Sequence, residues 1–321
     1  MRTRLLAIGL LLPAVAASLV FVYGFIAWTG YASLTGWNQI RRLRNFLPDF
    51  PLVGLDNYRS LFSTPRFWPN DVLNNAVFTV GFVALCLAVG LLLAVLLDQR
   101  IRGEAFFRNL FLLPMSLSFV VTGTIWSWIL NPNTGINQLL DPVGLGAFRH
   151  TLLGLPFLSP LWQVLDALHV NIVRPGLTAD PRAALGTIVI AAAWQMSGFV
   201  MAMFLAGLRG ISDEIREAAR MDGASEVQIY RHILIPLLRP VLVSVVVLLG
   251  YVSLKIFDLV FVTTRGGPGV SSDVPSIFLF DSAFKSNQWG LGAAVAVVML
   301  LATAVVVLPY LRWQLRQEQR G

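Results

Sequence analysis

Residues 209–239 read RGISDEIREAARMDGASEVQIYRHILIPLLR, and the reading of this stretch decides what kind of helical protein the chain forms. It is a charged island between two charge-free apolar windows, Ala183–Leu208 and Val241–Leu254. Ser212 can cap a helix whose first turn carries Asp213 and Glu214, favourable at the positive end of the helix dipole. Gly223 suits the C-terminal cap of that helix. Ser225 starts a second helix, and Gln228 three residues on completes a capping box. Ile229 and Ile233 share one face of it, and Pro236 is expected to begin a new element. The reading is helix–Gly–helix, with Ala218 and Ala219 small enough to let another surface come close. Charge alone is equally compatible with a solvated connecting loop.

Outward from this island the charge-free windows recur at Leu5–Ile40, Val72–Leu97, Asn109–Leu140 and Ser286–Leu311. A membrane span needs about 20 apolar residues. Trimmed to their apolar cores, the predicted helices are 7–31, 73–97, 110–130, 183–207, 240–262 and 289–311. The fifth reaches spanning length only if Lys255 and Asp258 lie inside the membrane. The composition agrees: 56% of the 321 residues are hydrophobic and 13% charged, too little charge to coat a soluble surface. Disorder is excluded by the same apolar excess. The net charge of +7 then fits a membrane rather than a nucleic acid. The expected fold is an all-α integral membrane protein with about six transmembrane helices. The helix–Gly–helix loop joins helices four and five. Its parts are an N-terminal span in 1–34, an outer loop 35–71, a five-helix core 72–312 and a tail 313–321.

Basic residues orient the chain. With the N-terminus inside, segments 1–4, 98–108, 209–239 and 312–321 hold 13 basic residues in 56 positions. The outer segments 35–71, 131–182 and 263–288 hold ten in 115 positions. The inner density is more than double, which places both termini and 209–239 in the cytoplasm. Arg2, Arg4 and Ala14-Val15-Ala16 also resemble a cleavable leader, but the apolar run continues to Trp28, so an uncleaved span is expected. Thr151–Val170 is apolar enough for a seventh span, yet Pro156 and Pro160 break it, and it is read as an outer-face segment. Trp28, Trp126, Trp128 and Trp289 fall at outer helix ends and Trp313 at an inner end, as an interfacial belt requires.

Several chemistries are absent. Cys86 is the one cysteine, and His150, His169 and His232 are widely scattered, so no disulfide framework or metal site is expected. The only lysines, Lys255 and Lys285, follow Leu254 and Phe284, so there is no Gly-Lys-Ser/Thr phosphate loop and no bound cofactor is expected on this chain. No nucleophile–base pair or paired intramembrane carboxylates point to an enzyme. An ion-coupled carrier is the stronger rival, but it typically carries internal repeats and midplane helix breaks, and neither is legible.

Trp194 does not fit the belt. It lies near the bilayer midplane with Gln195 and Ser197 beside it. An indole face suits a pyranose, and an amide or hydroxyl suits sugar hydroxyls; helix–helix packing explains the same residues. Lys255 and Asp258 are three apart, on one face of a continuous helix. They read either as a structural pair or as a wall of a polar path.

Glu217-Ala218-Ala219, Asp222-Gly223, Ile233 and Pro236 resemble the EAA loop of binding-protein-dependent ABC permeases, with Ile235 where the family usually has Leu. The resemblance extends over most of the chain. Gly54–Tyr58, Phe67-Trp68, Asn75 and Thr79 are similar to the first outer loop of maltose and glycerol-phosphate type permeases. Arg102-Gly103, Phe107-Arg108 and Leu113-Pro114 resemble their first cytoplasmic loop, and Thr264–Gly269 their Gly-Gly-Pro outer loop. Trp194–Gly198 and Lys255–Asp258 look like the glucose/mannose branch. The resemblance implies half of a type I sugar importer in a prokaryotic inner membrane. Its partners would be a second permease, expected to be a different chain, an ATPase dimer carrying ATP and Mg, and an extracytoplasmic sugar-binding protein, with no nucleic acid. It also implies that Glu217, Ala218, Ala219, Asp222 and Gly223 couple to the ATPase, while Trp194, Gln195, Ser197, Lys255 and Asp258 line the substrate path. A permease for a non-sugar solute is the nearest alternative.

Overall fold

The computed structural model describes residues 11–37, 51–99, 101–130, 181 and 183–318. The outer segment 131–180 with its Thr151–Val170 stretch, the residues Arg2 and Arg4, and the ring of Trp313 lie outside the described residues. In chain order the helices are α1 Leu11–Ser33, α2 Asp56–Ser63, α3 Val72–Asp98, α4 Glu104–Leu112, α5 Phe119–Ile129 and α6 Ala184–Arg209. They continue with α7 Asp213–Met221, α8 Glu226–Leu237, α9 Arg239–Leu254, α10 Asp258–Thr263, α11 Pro275–Phe280 and α12 Trp289–Glu318. Among the described residues the β-structure is one isolated bridge, Thr35 with Leu52. Among the described residues four stretches are long and apolar enough to cross a membrane alone: Leu11–Ser33, Arg66–Asp98, Ala184–Arg209 and Trp289–Arg316. Counting the bent pairs α4–α5 and α8–α9 as one span each makes six.

The chain divides into two compact units, 1–69 with 275–302 and 70–274 with 303–321. In the first, Asn57 Nδ2 donates to the carbonyls of Ser33 at 2.8 Å and Thr35 at 2.9 Å, closing the end of α1. Arg66 is bonded to Asp281 at 2.6 Å and lies over the Phe278 ring, and Trp37 stacks on Trp289. The apolar window of α1 is exposed along its whole length, as suits a helix facing lipid.

The second unit is built on α3 lying along α6. Small residues let these backbones approach, as membrane helices without a hydrophobic drive between them require. A Cβ at Gly90 would stand 2.5 Å from Val200 Cγ1. One at Gly198 would stand 1.9 Å from the backbone oxygen of Phe111.

The structure corrects three helix readings. The predicted 110–130 helix is two pieces, Glu104–Ser116 and α5, bent by 99°. Pro114 starts a tight 3₁₀ turn, Leu117 is extended, and the Ser118 hydroxyl accepts from the Val121 amide to begin α5 afresh. The predicted 240–262 helix stops at Leu254 and restarts at Asp258, with Phe257 at φ −132°, ψ −61° between. Pro236, expected to begin a new element, is absorbed inside α8: a π-turn over Tyr230–Leu234 precedes it, and the 65° bend falls instead between Leu237 and Arg239, with Pro240 in the first turn of α9.

The α4–α6 crossing yields a test. Gly198→Ala forces a methyl against backbone rather than a movable side chain, an overpacking change that typically costs about 1–3 kcal/mol. Thermal unfolding in detergent should show a lower Tm for Gly198→Ala and an unchanged one for Gly30→Ala, where nothing lies within 4 Å.

Candidate functional site

The loop between the spans α6 and α9 folds locally as its caps dictate. Ser212 Oγ accepts from the Glu214 amide at 3.3 Å, with Asp213 and Glu214 in the first turn of α7. At its end, Gly223 takes φ +82°, which a Cβ would strain. The Gly223 amide bonds the Arg220 carbonyl and the Ala224 amide the Ala219 carbonyl, both at 3.0 Å, which is the Schellman pattern. Ser225 and Gln228 then form the reciprocal capping box that starts α8. The turn between α7 and α8 is thereby fixed from both sides, so the helix–Gly–helix reading holds.

Burial sorts the residues of α7 by face. Ala219 is buried, whereas Glu217, Ala218 and the cap residue Asp222 are exposed. Glu214, Glu217, Ala218 and Met221 follow the i, i+3, i+4, i+7 spacing of one helical stripe, and Met221 is 88% exposed. The stripe is small, acidic and apolar at its end, and it carries no internal ion pair among the described residues.

The opposite face of α7 is tied down by charges. Arg216 Nη1 donates to Asp98 Oδ2 at 2.7 Å, and Arg216 Nη2 to the Leu208 carbonyl at 2.9 Å. Tyr230 of α8 donates its hydroxyl to the same Asp98 Oδ2 at 2.6 Å. The Asp98 side chain is 3% exposed. Burial disfavours the charge on Arg216, but the hydrogen bond and negative charge of Asp98, together with Tyr230, outweigh it and raise the guanidinium pKa above its ordinary value. Removing one partner from such a buried pair typically costs about 3–5 kcal/mol. Nearby, Glu104 bonds both Arg108 and Arg209, the latter at 2.8 Å. Arg220 and Glu226 pair at 2.7 Å across the Gly223 turn, too exposed to add much. Asp98, Glu104, Arg209, Arg216 and Glu226 are among the residues that wall a cleft of about 1020 Å³.

The sequence pointed to none of Asp98, Glu104, Arg209, Arg216 or Tyr230. Asp98 is only the first charge after an apolar window, and its partners lie 118 and 132 residues away, so no local spacing announces them.

The five path candidates separate. Trp194 is 39% exposed and meets Trp126 edge to face, with ring centroids 6.0 Å apart. Gln195 is buried, and its Nε2 donates to the Leu117 carbonyl at 2.7 Å. Ser197 is buried and turns its hydroxyl back to the Trp194 carbonyl at 3.4 Å. Lys255 and Asp258 do not share a helical face, because the helix breaks between them. Lys255 Nζ instead reaches the Tyr251 hydroxyl at 2.6 Å. Lys255, Asp258 and Tyr251 are all exposed at this break.

Comparison with known proteins bears on the family and the fold. Residues 86–320 match the family described as binding-protein-dependent transport system inner membrane component. A probable ABC transporter permease of Pyrococcus horikoshii is 40% identical over 312 residues, covering 97% of this chain and 96% of that one. A xylose/arabinose import permease of Haloferax volcanii is 35% identical over 307 residues, covering 95% and 86%. A crystal structure of a bacterial ABC importer of the acidic polysaccharide alginate superposes with a TM-score of 0.75 at 18% identity, covering 98% of this chain and 96% of that chain, a likeness of fold. The chain is therefore a multi-pass membrane protein of the binding-protein-dependent ABC permease family, a transport component and not an enzyme.

Proposed function

We propose that this chain forms half of the pore of an ATP-driven sugar importer and that α7 is its contact with the ATPase. The observation that carries the reading is the exposed Glu214–Glu217–Ala218–Met221 stripe on a helix fixed by caps at both ends. An ion-coupled carrier has no use for such a face. The ATPase supplies ATP, Mg and hydrolysis, consistent with a chain that has no phosphate loop. The remaining partners are a second permease, read as a different chain, and an extracytoplasmic binding protein. Both termini and residues 209–239 then lie in the cytoplasm of a prokaryotic inner membrane. The sugar reading draws on the relative named for xylose/arabinose import. Within that class we favour a monosaccharide such as glucose or mannose, or a small oligosaccharide.

Trp194, part-exposed at mid-span, is the path residue this reading favours. Lys255 and Asp258 join it as exposed polar groups at a helix break, where intramembrane charges usually face a cavity or a partner. Gln195 and Ser197 contribute by shaping the helix that carries Trp194, since the Gln195 amide nitrogen and the Ser197 hydroxyl are turned toward backbone.

Three outcomes test the reading. Glu217→Lys puts a cation on the docking stripe and should lower uptake on the order of tenfold while leaving membrane insertion intact. Gly223→Val should do the same by forbidding the left-handed cap. Normal nucleotide-dependent stimulation of the ATPase by Glu217→Lys would sink the docking assignment. For orientation, Ser225→Cys and Val270→Cys in a Cys86→Ser background should differ: an impermeant external reagent should label only position 270. Finally, Trp194→Ala should cut uptake from a panel of glucose, mannose, xylose and maltose several-fold at equal assembly, and Trp194→Phe should restore most of it. No uptake of any of these sugars by the wild-type importer would remove the sugar assignment.

A further inference from the structure

We infer that Asp98 is the joint that carries movement of the coupling loop into the membrane spans. The inference rests on the reading of α7 as the ATPase contact and says what happens on the other side of that contact. Three elements meet at one carboxylate oxygen. Arg216 comes from α7, Tyr230 from α8, and Asp98 is the last residue of α3. Arg216 also holds the Leu208 carbonyl in the last turn of α6. One guanidinium thus grips the cytoplasmic ends of both spans that form the spine of this unit. Along that spine α3 and α6 are in close contact at Gly81 with Val189, at Cys86 with Ala193 and at Gly90 with Val200. A push on α7 therefore reaches α3 and α6 together.

Other side-chain ties of this loop are built differently. The Arg220–Glu226 pair joins α7 to α8 within the loop and does not reach a span. It is also half exposed, so water competes for both ends. Glu104 links α4 to the last residue of α6 without touching α7. The Asp98 cluster is buried and joins loop to span. A desolvated charge with two donors is costly to release, which makes the contact rigid rather than sliding. Arg216 is suited to this in a way lysine is not, because its planar fork presents separate N–H groups to the carboxylate and the carbonyl at once. Asp98, Arg216 and Tyr230 are positioning residues: they touch neither nucleotide nor sugar.

The test follows the loop relative to the span as the ATPase closes. Nitroxide labels go on Leu96→Cys in α3 and Val227→Cys in α8, both exposed, in a Cys86→Ser background. Their separation is measured by pulsed electron spin resonance in the assembled importer, without nucleotide and with ATP plus vanadate. With the joint intact the separation should hold to within about 2 Å, the scale of small interface shifts. Asp98→Asn and Arg216→Lys should instead give a nucleotide-dependent shift or broadening on the order of a helical turn, about 5 Å. Tyr230→Phe, which removes one donor, should give a smaller one. Should Asp98→Asn not assemble, Arg216→Lys and Tyr230→Phe carry the same readout. Distances that stay fixed in all three variants would overturn the joint. Failure of the docking reading is recorded separately, by Glu217→Lys keeping its nucleotide stimulation in the same preparation.

Discussion

Inside hydrocarbon a backbone carbonyl released from its helix has no water to bond, so every helix break must be answered by a side chain or another turn. The larger unit of this protein is arranged around that constraint. At the bend after Pro114 the Leu117 carbonyl is taken by Gln195 from α6. At the end of α9 the Ser253 carbonyl is taken by Asn75 from α3, at 3.2 Å. Amide side chains thus stand where helices stop. The breaks are held structure, and the one after α9 places Lys255 and Asp258 where a continuous helix would not.

The same constraint explains how far the sequence alone could be read. The caps of the 209–239 loop were legible because each acts within a few residues: Ser212 on Glu214, Ser225 on Gln228, Gly223 on the turn it ends. The spans were legible because apolar length is a local property. Positions 110–130 misled because apolar length outweighed the local signals of Pro114 and Ser118, and 240–262 because no local residue marks its break; the carbonyls freed at both are answered from far away. Leu117 finds Gln195 78 residues away and Ser253 finds Asn75 178 residues away. The Trp194-Gln195-Met196-Ser197 run shows the difference within one helical turn. Its amide and hydroxyl looked like sugar ligands, yet both serve backbone, and only the indole keeps a part-exposed face.

Glu217 and Asp98 illustrate two kinds of carboxylate. Glu217 stands on an exposed stripe and belongs to a pattern of neighbours, so sequence finds it. Asp98 works by being enclosed, with its donors on helices that reach it only after folding. A charge whose meaning lies wholly in tertiary contact has no local signature, and composition marks it as merely the polar end of a span.

The pairing of Asp98 with Arg216 also sets how the loop responds to heat. The cost of stripping water from charges falls as temperature rises, whereas the gain from apolar contact levels off. A connection made of two desolvated charges therefore improves its thermal balance where a purely greasy contact would not. At that buried pair the loop is tied to its spans by a contact whose desolvation cost falls as temperature rises.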